Sequence, residues 1–170
     1  MRTFILGGVR SGKSRYAEQL ARSAAKQVTV IATASAQDEE MAARIEAHRR
    51  HRPPDWCVIE EPIRLAAALS TAASPTGIVI VDCLTLWLSN LLCGDDAAAA
   101  GRETGALLET LTTLPGDCIL ISNEVGLGIV PLSALARRFG DDAGVLHQRL
   151  AAACDRVVLM VAGLALDVKG

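Results

Sequence analysis

The residues best suited to chemistry lie near the start of the chain, where a short apolar run opens into a glycine-rich segment. Residues 7–14 read Gly-Gly-Val-Arg-Ser-Gly-Lys-Ser and match the phosphate-binding pattern GxxxxGK(S/T) at every specified position. In this pattern backbone N–H groups turn inward around a polyphosphate, the lysine brings a positive charge to the outer phosphates, and the final hydroxyl reaches Mg²⁺. Lys13 and Ser14 therefore predict a nucleoside triphosphate site with Mg²⁺, and a glycine-rich turn without a ligand is the alternative.

A carboxylate that could act with this loop ends the most strand-like run in the chain. Residues 78–81 read Ile-Val-Ile-Val and are followed by Asp82. An acidic side chain at the tip of such a strand is typical of a Walker B element, in which it positions Mg²⁺ or the water bound to it. Hydrophobic strands ending in Asp are common by chance, so the prediction for Asp82 depends on its pairing with the phosphate-binding segment.

A basic cluster and a polar loop are two further candidates. Residues 48–52 read His-Arg-Arg-His-Arg in a chain whose net charge is −2. The cluster indicates either a phosphate-binding site or a solvated helix end whose cations complement the helix dipole, and spacing alone does not separate the two. Residues 123–131 read Asn-Glu-Val-Gly-Leu-Gly-Ile-Val-Pro and follow a predicted strand, which favours a functional loop over a plain turn.

Alternating strand-like and helix-like stretches must position these residues. β-Branched apolar runs predict strands, and apolar residues at helical spacing predict helices between them. The predicted strands cover residues 3–6, 27–32, 57–60, 78–82, 118–122 and 156–162, and the predicted helices cover 15–25, 38–52, 63–70, 84–92, 102–114 and 134–154, the last with a break near Gly140. This order predicts an α/β fold of the P-loop NTPase, RecA-like type, with a mostly parallel sheet flanked by helices in a single domain over residues 1–170. Ligands should bind at the carboxyl ends of the strands.

Composition limits the classes of fold and partner. Hydrophobic residues make up 51% of the chain but aromatic residues only 3%, which favours an aliphatic α/β core containing Trp87 over a β-sandwich. The net charge of −2 predicts no nucleic-acid partner and no attraction to an anionic membrane. Five widely spaced cysteines without a CxxC pair indicate reduced, mostly buried thiols. With neither a signal peptide nor an apolar run of roughly 18 residues, we expect no membrane span and a cytoplasmic location.

Several stretches together resemble the bifunctional adenosylcobinamide kinase/adenosylcobinamide-phosphate guanylyltransferase family of cobalamin biosynthesis. The resemblance extends over nearly the whole chain, in the right order. The Asn-Glu-Val-Gly-x-Gly-Ile-Val-Pro run and the Arg-Ile-x-x-His helix are far more particular to this family than the phosphate-binding loop. The matching stretches are residues 7–14, residues 38–45 leading to His48 and to Arg52-Pro53, residues 81–87, residues 122–131 and residues 162–164.

The resemblance implies two reactions in one chain. The first is phosphorylation of the aminopropanol hydroxyl of adenosylcobinamide by ATP or GTP. The second transfers GMP from GTP to adenosylcobinamide phosphate through a covalent GMP-histidine, with release of pyrophosphate, and gives adenosyl-GDP-cobinamide. His48 matches the family's histidine, and His51 is a rival that only the family register disfavours. The family also tends to form a homotrimer, so a homo-oligomer is expected.

The resemblance further implies which residues contact nucleotide and metal. Lys13 joins His48 as a catalytic residue, and Ser14 and Asp82 are expected to hold Mg²⁺ directly or through water. Glu124 is a candidate base or substrate contact, whereas His147, far along a helical pattern, is expected to be structural. The implied nucleotide contacts are Gly7, Gly8, Val9, Arg10, Ser11, Gly12, Lys13, Ser14, Ala32, Thr33, Ala34, Arg49, Arg50, His51, Arg52, Glu60 and Asp82.

Three other interpretations stay open beside this one. In a simpler P-loop kinase of a small metabolite, the basic cluster would only clamp phosphate. A nucleotide-dependent switch or RecA-like motor subunit would couple hydrolysis to partner binding, but the chain lacks a basic face for nucleic acid. A guanylyltransferase without kinase activity is the third, and the intact Lys13 and Ser14 argue against it.

Overall fold

The computed structural model describes residues 1–35, 39, 43, 46 and 53–170. Strands and helices alternate along the chain as predicted. The predicted helix over 38–52 lies largely outside the described residues, and its described positions 39, 43 and 46 are helical. The elements are β1 (Arg2–Gly7), α1 (Lys13–Ser23), β2 (Gln27–Ala32), β3 (Cys57–Glu60), α2 (Leu65–Ala72), β4 (Gly77–Asp82), α3 (Leu84–Cys93), α4 (Ala99–Thr113), β5 (Asp117–Asn123), α5 (Ala134–Ala153), β6 (Arg156–Val161) and β7 (Leu164–Lys169).

The strands form one sheet of seven in the order β3-β2-β4-β5-β1-β6-β7. The strands from β3 to β6 in this order are parallel to their neighbours, and β7 runs antiparallel to β6. Parallel strands end at the same edge, so the segments after β1, β2, β4 and β5 all meet at the carboxyl edge of the sheet. Because β5 lies between β1 and β4, the residues that follow β5 lie between the phosphate-binding loop and Asp82.

Alternating side chains divide the core between the two faces of the sheet. In β4, Ile78 and Ile80 pack with Ala17 and Ala21 of α1, and the intervening valines pack on the face covered by α2 to α5. This period of two is what a strand buried on both faces requires. Trp87 of α3 is fully buried, as predicted, and its indole Nε1 donates to the backbone oxygen of the loop before α2.

The structure corrects two details of the predicted elements. α5 continues without a break through Gly140, because a glycine costs a helix only about 1 kcal/mol and three later residues of α5 are buried against the core. β7 lies outside the predicted strands. Its signal was the two-residue turn at Ala162 and Gly163, which have φ of 51° and 83° and match the positive dihedrals of a tight hairpin.

The cysteines are free, but the expectation that most are buried is wrong. Cys57 and Cys93 are exposed, Cys83 is partly buried, and Cys118 and Cys154 are buried. Burial raises the pKa of Cys118 to about 12 and that of Cys154 to about 11, so both thiols stay protonated at neutral pH. In the part of the chain that the structure describes, no helix combines the length and the apolar character needed to cross a membrane.

Candidate active site

The phosphate-binding loop connects the end of β1 to the start of α1. Gly12 precedes the helix with φ of 98°, a left-handed conformation that favours glycine. The Tyr16 N–H donates to the Gly12 oxygen at 2.9 Å, and Gly12 has no side chain with which to cap the helix start. The first N–H groups of α1 therefore face the loop, where they and the helix dipole favour an anion.

Close packing against the β6–β7 turn fixes the shape of this loop. A Cβ atom at Gly7 would lie 2.6 Å from the Met160 carbonyl oxygen and 2.6 Å from Ser11 Oγ, so only glycine fits there. The Gly163 N–H donates to the Ser11 oxygen at 3.0 Å and holds the other side of the loop. The shape of the loop is thus set by contacts within the protein.

Lys13 is folded back onto the loop. Its side chain is 8% exposed, and Nζ donates to the Gly8 carbonyl oxygen at 2.7 Å. Burial lowers the pKa of Lys13, while the nearby Cys83 and Asp82 act in the opposite direction. Burial and the Asp82 charge in turn raise the pKa of the Cys83 thiol. The structure therefore brings Lys13 and Asp82 within electrostatic range of each other, as a shared triphosphate and Mg²⁺ site requires.

Three of the predicted contacts outside the loop form one row across three neighbouring strands. Ala32, the last residue of β2, is paired with Glu60 of β3 on one side and with Asp82 of β4 on the other. Glu60 is exposed and Asp82 is partly exposed. The row ends at the carboxyl edge of the sheet, so a nucleotide held by the loop can extend toward it.

Thr33 ties the tip of β2 to the tip of β4. Its side chain is fully buried, and its backbone N–H donates to the Asp82 oxygen at 3.1 Å. Its hydroxyl donates to the Cys83 oxygen at 2.6 Å and accepts from the Cys83 N–H at 2.9 Å. Thr33, itself one of the predicted nucleotide contacts, is therefore a structural clamp, and its buried hydroxyl is committed to Cys83.

The tip of β5 is joined to the phosphate-binding loop and to α3. The Glu124 N–H donates to the Gly7 oxygen at 3.0 Å, and the Asn123 N–H donates to Thr85 Oγ1 at 2.7 Å. The Glu124 carboxylate accepts from the Gly126 N–H, which shapes the loop after β5. Glu124 thus lies beside the loop that should hold the γ-phosphate, where a base or a substrate contact is needed.

His147 of α5 reaches the same tip through a chain of hydroxyl groups. Its Nε2 lies 2.9 Å from Ser122 Oγ, which in turn lies 3.2 Å from Thr85 Oγ1. The imidazole packs on Phe4 with ring centroids 5.5 Å apart. Burial lowers the pKa of His147 and the negative charge of Glu124 acts against that shift, so the neutral form prevails at neutral pH.

The predicted site residues fall into two groups. The structure describes the first group and brings its members to one edge of the sheet. They are residues 7–14, residues 32–34, Glu60, Asp82 and Glu124. The rest lie outside the described residues, namely His48, Arg49, Arg50, His51 and Arg52.

Sequence reasoning missed the hydroxyl chain behind this edge. Thr85 and Ser122 lie within stretches singled out for other reasons, so their types and places at strand ends were a usable signal. His147 was expected to be structural, and nothing in its own spacing connects it with Ser122, 25 residues earlier in sequence. Only the packing of α5 against the sheet reveals that contact.

An open groove begins where β5 ends. Its volume is about 800 Å³, and it is lined by the segment 125–141 and the end of α3. Several side chains of this segment are apolar and turned to solvent, including Leu127 at 88% exposure, Ile129 at 97% and Leu132 at 98%. Exposed apolar surface of this extent is typical of an interaction site.

Curated proteins similar to this chain include three with the same descriptive name. This chain is 54% identical over 170 residues to the bifunctional adenosylcobalamin biosynthesis protein CobP of Pseudomonas aeruginosa, and the match covers 100% of this chain and 98% of that protein. It is 40% identical over 182 residues to the bifunctional adenosylcobalamin biosynthesis protein CobU of Escherichia coli K12, covering 99% and 100%, and equally identical to CobU of Salmonella typhimurium LT2.

Solved structures support the fold alone. The RadB recombinase superposes with a TM-score of 0.50 at 16% identity over 93% of this chain and 73% of that one. A protein from Pyrococcus horikoshii OT3 superposes with a TM-score of 0.59 at 7% identity over 99% and 86%. Likeness to a recombinase agrees with the RecA-like type of P-loop fold that the strand order indicates.

Residues 3–168 match the family described as cobinamide kinase / cobinamide phosphate guanyltransferase, and the chain belongs to that family.

Proposed function

We propose that this chain phosphorylates the aminopropanol hydroxyl of adenosylcobinamide with ATP or GTP and then transfers GMP from GTP onto the new phosphate. The observation that carries the proposal is the family match over residues 3–168. The phosphate-binding loop provides what both reactions share, a place for the phosphates of a nucleoside triphosphate. The product is adenosyl-GDP-cobinamide.

In the kinase step, positioning and charge neutralisation do most of the work. The N–H groups of the loop and of the start of α1 bind the phosphates, and Lys13 exchanges the Gly8 oxygen for a phosphate oxygen. Partial desolvation of Lys13 strengthens its interaction with the charge that develops on the transferred phosphoryl group. Glu124 accepts the proton of the substrate hydroxyl or binds the substrate. The bond from its backbone N–H to the Gly7 oxygen, which holds it beside the phosphate-binding loop, supports this role.

Ser14 and Asp82 are the residues that would hold Mg²⁺. Both offer oxygen atoms at the carboxyl edge of the sheet, which are the donors Mg²⁺ prefers. Among the described residues, no group of three or more His, Cys, Asp or Glu side chains is arranged to hold a metal ion. That fits an ion bound by one or two protein oxygens, by phosphates and by water. When bound, the ion supplies positive charge to the phosphates.

In the guanylyl transfer step, His48 is the nucleophile. A nitrogen of its neutral imidazole bonds to the α-phosphorus of GTP while the bond to pyrophosphate breaks, and a phosphate oxygen of adenosylcobinamide phosphate later displaces the imidazole. Arg49, Arg50 and Arg52 disfavour the imidazolium form and neutralise charge on the phosphates. The remaining nucleotide contacts come from residues 32–34, Glu60 and His51.

Transfer of label from GTP to the protein tests this route. The protein is incubated with Mg²⁺ and GTP labelled at the α-phosphate, then denatured and assayed for acid-labile, base-stable label. We expect label on the wild type and on His51→Asn, and none on His48→Asn, which should keep its kinase activity. Absence of label from all three would contradict guanylyl transfer through a histidine and favour a P-loop kinase of a small metabolite.

The working form of the enzyme is a homo-oligomer, a trimer by family resemblance. The exposed apolar side chains after β5 support this, because water contact with Ile129 and Leu132 is costly for a monomer. Light scattering after size exclusion should give three times the mass of one chain, and a mass of one chain would contradict the trimer.

We also place the enzyme in the cytoplasm, because its five free cysteines suit a reducing compartment. Residues 1–170 form a single domain in this proposal.

A further inference from the structure

Asn90 is a polar residue in the mostly apolar helix α3, and it hydrogen-bonds two separate segments at the carboxyl edge. Its Nδ2 donates to the Thr33 oxygen at 2.8 Å and to the Pro62 oxygen at 3.2 Å. Its Oδ1 accepts from Ser35 Oγ at 3.2 Å. The amide therefore uses both of its ends, and it joins the segment after β2 to the segment after β3.

The segments after β2 and β3 lie beyond the last hydrogen bonds between these two strands. The ladder between β2 and β3 ends at Ala32 and Glu60, and the Glu61 N–H adds one bond, to the Ala32 oxygen at 3.0 Å. Beyond this point Asn90 continues the connection with its side chain. Without it, the carbonyl oxygens of Thr33 and Pro62 would each lose the hydrogen bond that links their two segments, which weakens the connection.

Asn90 is itself held firmly. Trp87, one helical turn earlier, is fully buried and donates from Nε1 to the Ile63 oxygen at 2.8 Å. α3 is therefore anchored to the same loop that Asn90 contacts. A planar amide on a rigid helix fixes the distance between its partners better than a loop residue could.

We infer that Asn90 is a positioning residue for guanylyl transfer: by fixing the segments after β2 and β3, it sets the nucleotide contacts at residues 32–34 and Glu60. The inference rests on the proposed function. A reacting group misplaced by about 1 Å can lose roughly 100-fold in rate, so such support matters to the transfer step.

The kinase step should depend on Asn90 much less. The phosphate-binding loop is held by the β5 tip, through Glu124, and by the β6–β7 turn, through Gly163. In the described part of the chain, the hydrogen bonds of the Asn90 side chain go to the segments after β2 and β3 and not to this loop. The two activities of one protein therefore give an internal comparison.

The experiment measures both steps in four variants of the full chain. The first readout is the single-turnover rate at which saturating α-labelled GTP labels the protein, and the second is ATP-dependent phosphorylation of adenosylcobinamide. Asn90→Ala removes all three bonds, and Asn90→Asp keeps an acceptor for Ser35 but removes both donors. Ser35→Ala removes one bond, and Ser89→Ala is the matched control on the same helix.

We expect Asn90→Ala and Asn90→Asp to lower the labelling rate roughly 10- to 100-fold, with kinase activity within about threefold of wild type. Ser35→Ala should cause a smaller loss, and Ser89→Ala none. Labelling by Asn90→Ala at the rate of Ser89→Ala would overturn the inference. So would equal loss of both activities together with a lower melting temperature, since that indicates a structural role. Absence of label on the wild type would instead overturn the proposed function and, with it, this inference.

Discussion

The two sides of the active-site edge are built in different ways. On the side of β1, backbone groups and glycines form the phosphate-binding loop, and its residues follow one another in sequence. On the side of β2 and β3, side chains from distant parts of the chain hold the strand tips, as Thr33 holds Cys83 and Asn90 holds Thr33. Local sequence is thus enough to form a nucleotide-binding loop. The positions of the nucleotide contacts on the side of β2 and β3 depend instead on tertiary contacts.

Replacing Lys13 should give the largest effect and should not distinguish the two sides. Lys13→Met keeps the length of the buried stem but removes the charge that the triphosphate needs in both reactions. We expect both activities to fall roughly 100- to 1,000-fold, as measured with ATP for the kinase step and with labelled GTP for transfer. Arg22→Met, at the exposed end of the same helix, is the control. Full guanylylation by Lys13→Met would mean that the transfer step uses a separate triphosphate site.

Replacing Thr33 should separate the two sides. Thr33→Val is close in shape but leaves the Cys83 N–H without its acceptor in a buried position, at a cost of about 1–3 kcal/mol in the free energy of unfolding. The tip of β2 should shift, so we expect labelling by GTP to fall about tenfold at saturating nucleotide, with a smaller loss in the kinase step.

Thr33→Ser is the matched variant for this prediction, because it restores the hydroxyl without the methyl group. Transfer activity should recover in Thr33→Ser, and the melting temperature should rise relative to Thr33→Val. If Thr33→Val labels at the wild-type rate, the clamp between Thr33 and Cys83 has no part in positioning the nucleotide contacts.

The same contrast explains what the sequence could predict. The loop at residues 7–14 and the strand ending at Asp82 are contiguous patterns, and the periodicity of the strands predicted the α/β fold and the edge where the candidate site lies. The Thr33–Cys83 and Ser122–His147 bonds join residues 50 and 25 positions apart, and no local pattern marks such pairs. β7 is an intermediate case. The adjacent Ala162 and Gly163 at its hairpin turn are a local signal, but a prediction from strand periodicity alone does not include it.

Replacing His147 should have a smaller effect, seen mainly in the dependence of stability on pH. Burial lowers the pKa of His147 in the folded state, so the unfolded chain takes up a proton more readily. The resulting loss of stability is absent above the unfolded pKa of about 6.5 and grows as the pH falls toward the lower folded value. His147→Gln, which still can bond Ser122, should remove this part of the acid-side slope.

Thermal unfolding at pH 7.5 and pH 5 measures that slope. The difference in melting temperature between the two pH values should be smaller for His147→Gln than for the wild type, and kinase activity at pH 7.5 should change by no more than a few-fold. An unchanged slope would show that burial of the neutral imidazole does not contribute to acid sensitivity. Ser122→Ala, which leaves the imidazole in place without its hydroxyl partner, should retain the slope.

The smallest effect is expected at the opposite edge of the sheet, where β5 begins. Asp117 accepts from the N-terminal ammonium and from Lys26 Nζ, each at 2.6 Å. Burial pushes the pKa of Asp117 upward, but the hydrogen bonds from Lys26 and the N-terminus outweigh it, and the pKa is lowered. The pair therefore contributes stability above the unfolded pKa of about 3.9, and the contribution is lost as the pH falls through the folded value.

Asp117→Asn should cost about 1 kcal/mol or less in the free energy of unfolding at pH 7, with both activities unchanged. The cost should shrink at high salt, which screens partly exposed charges, and it should vanish at acid pH, where the wild-type carboxyl is also neutral. Denaturant unfolding at low and high salt measures it. A loss of guanylyl transfer in Asp117→Asn would contradict the contrast between the two sides of the active-site edge, because a residue at the amino edge would then position the nucleotide as strongly as Thr33 and Asn90 do.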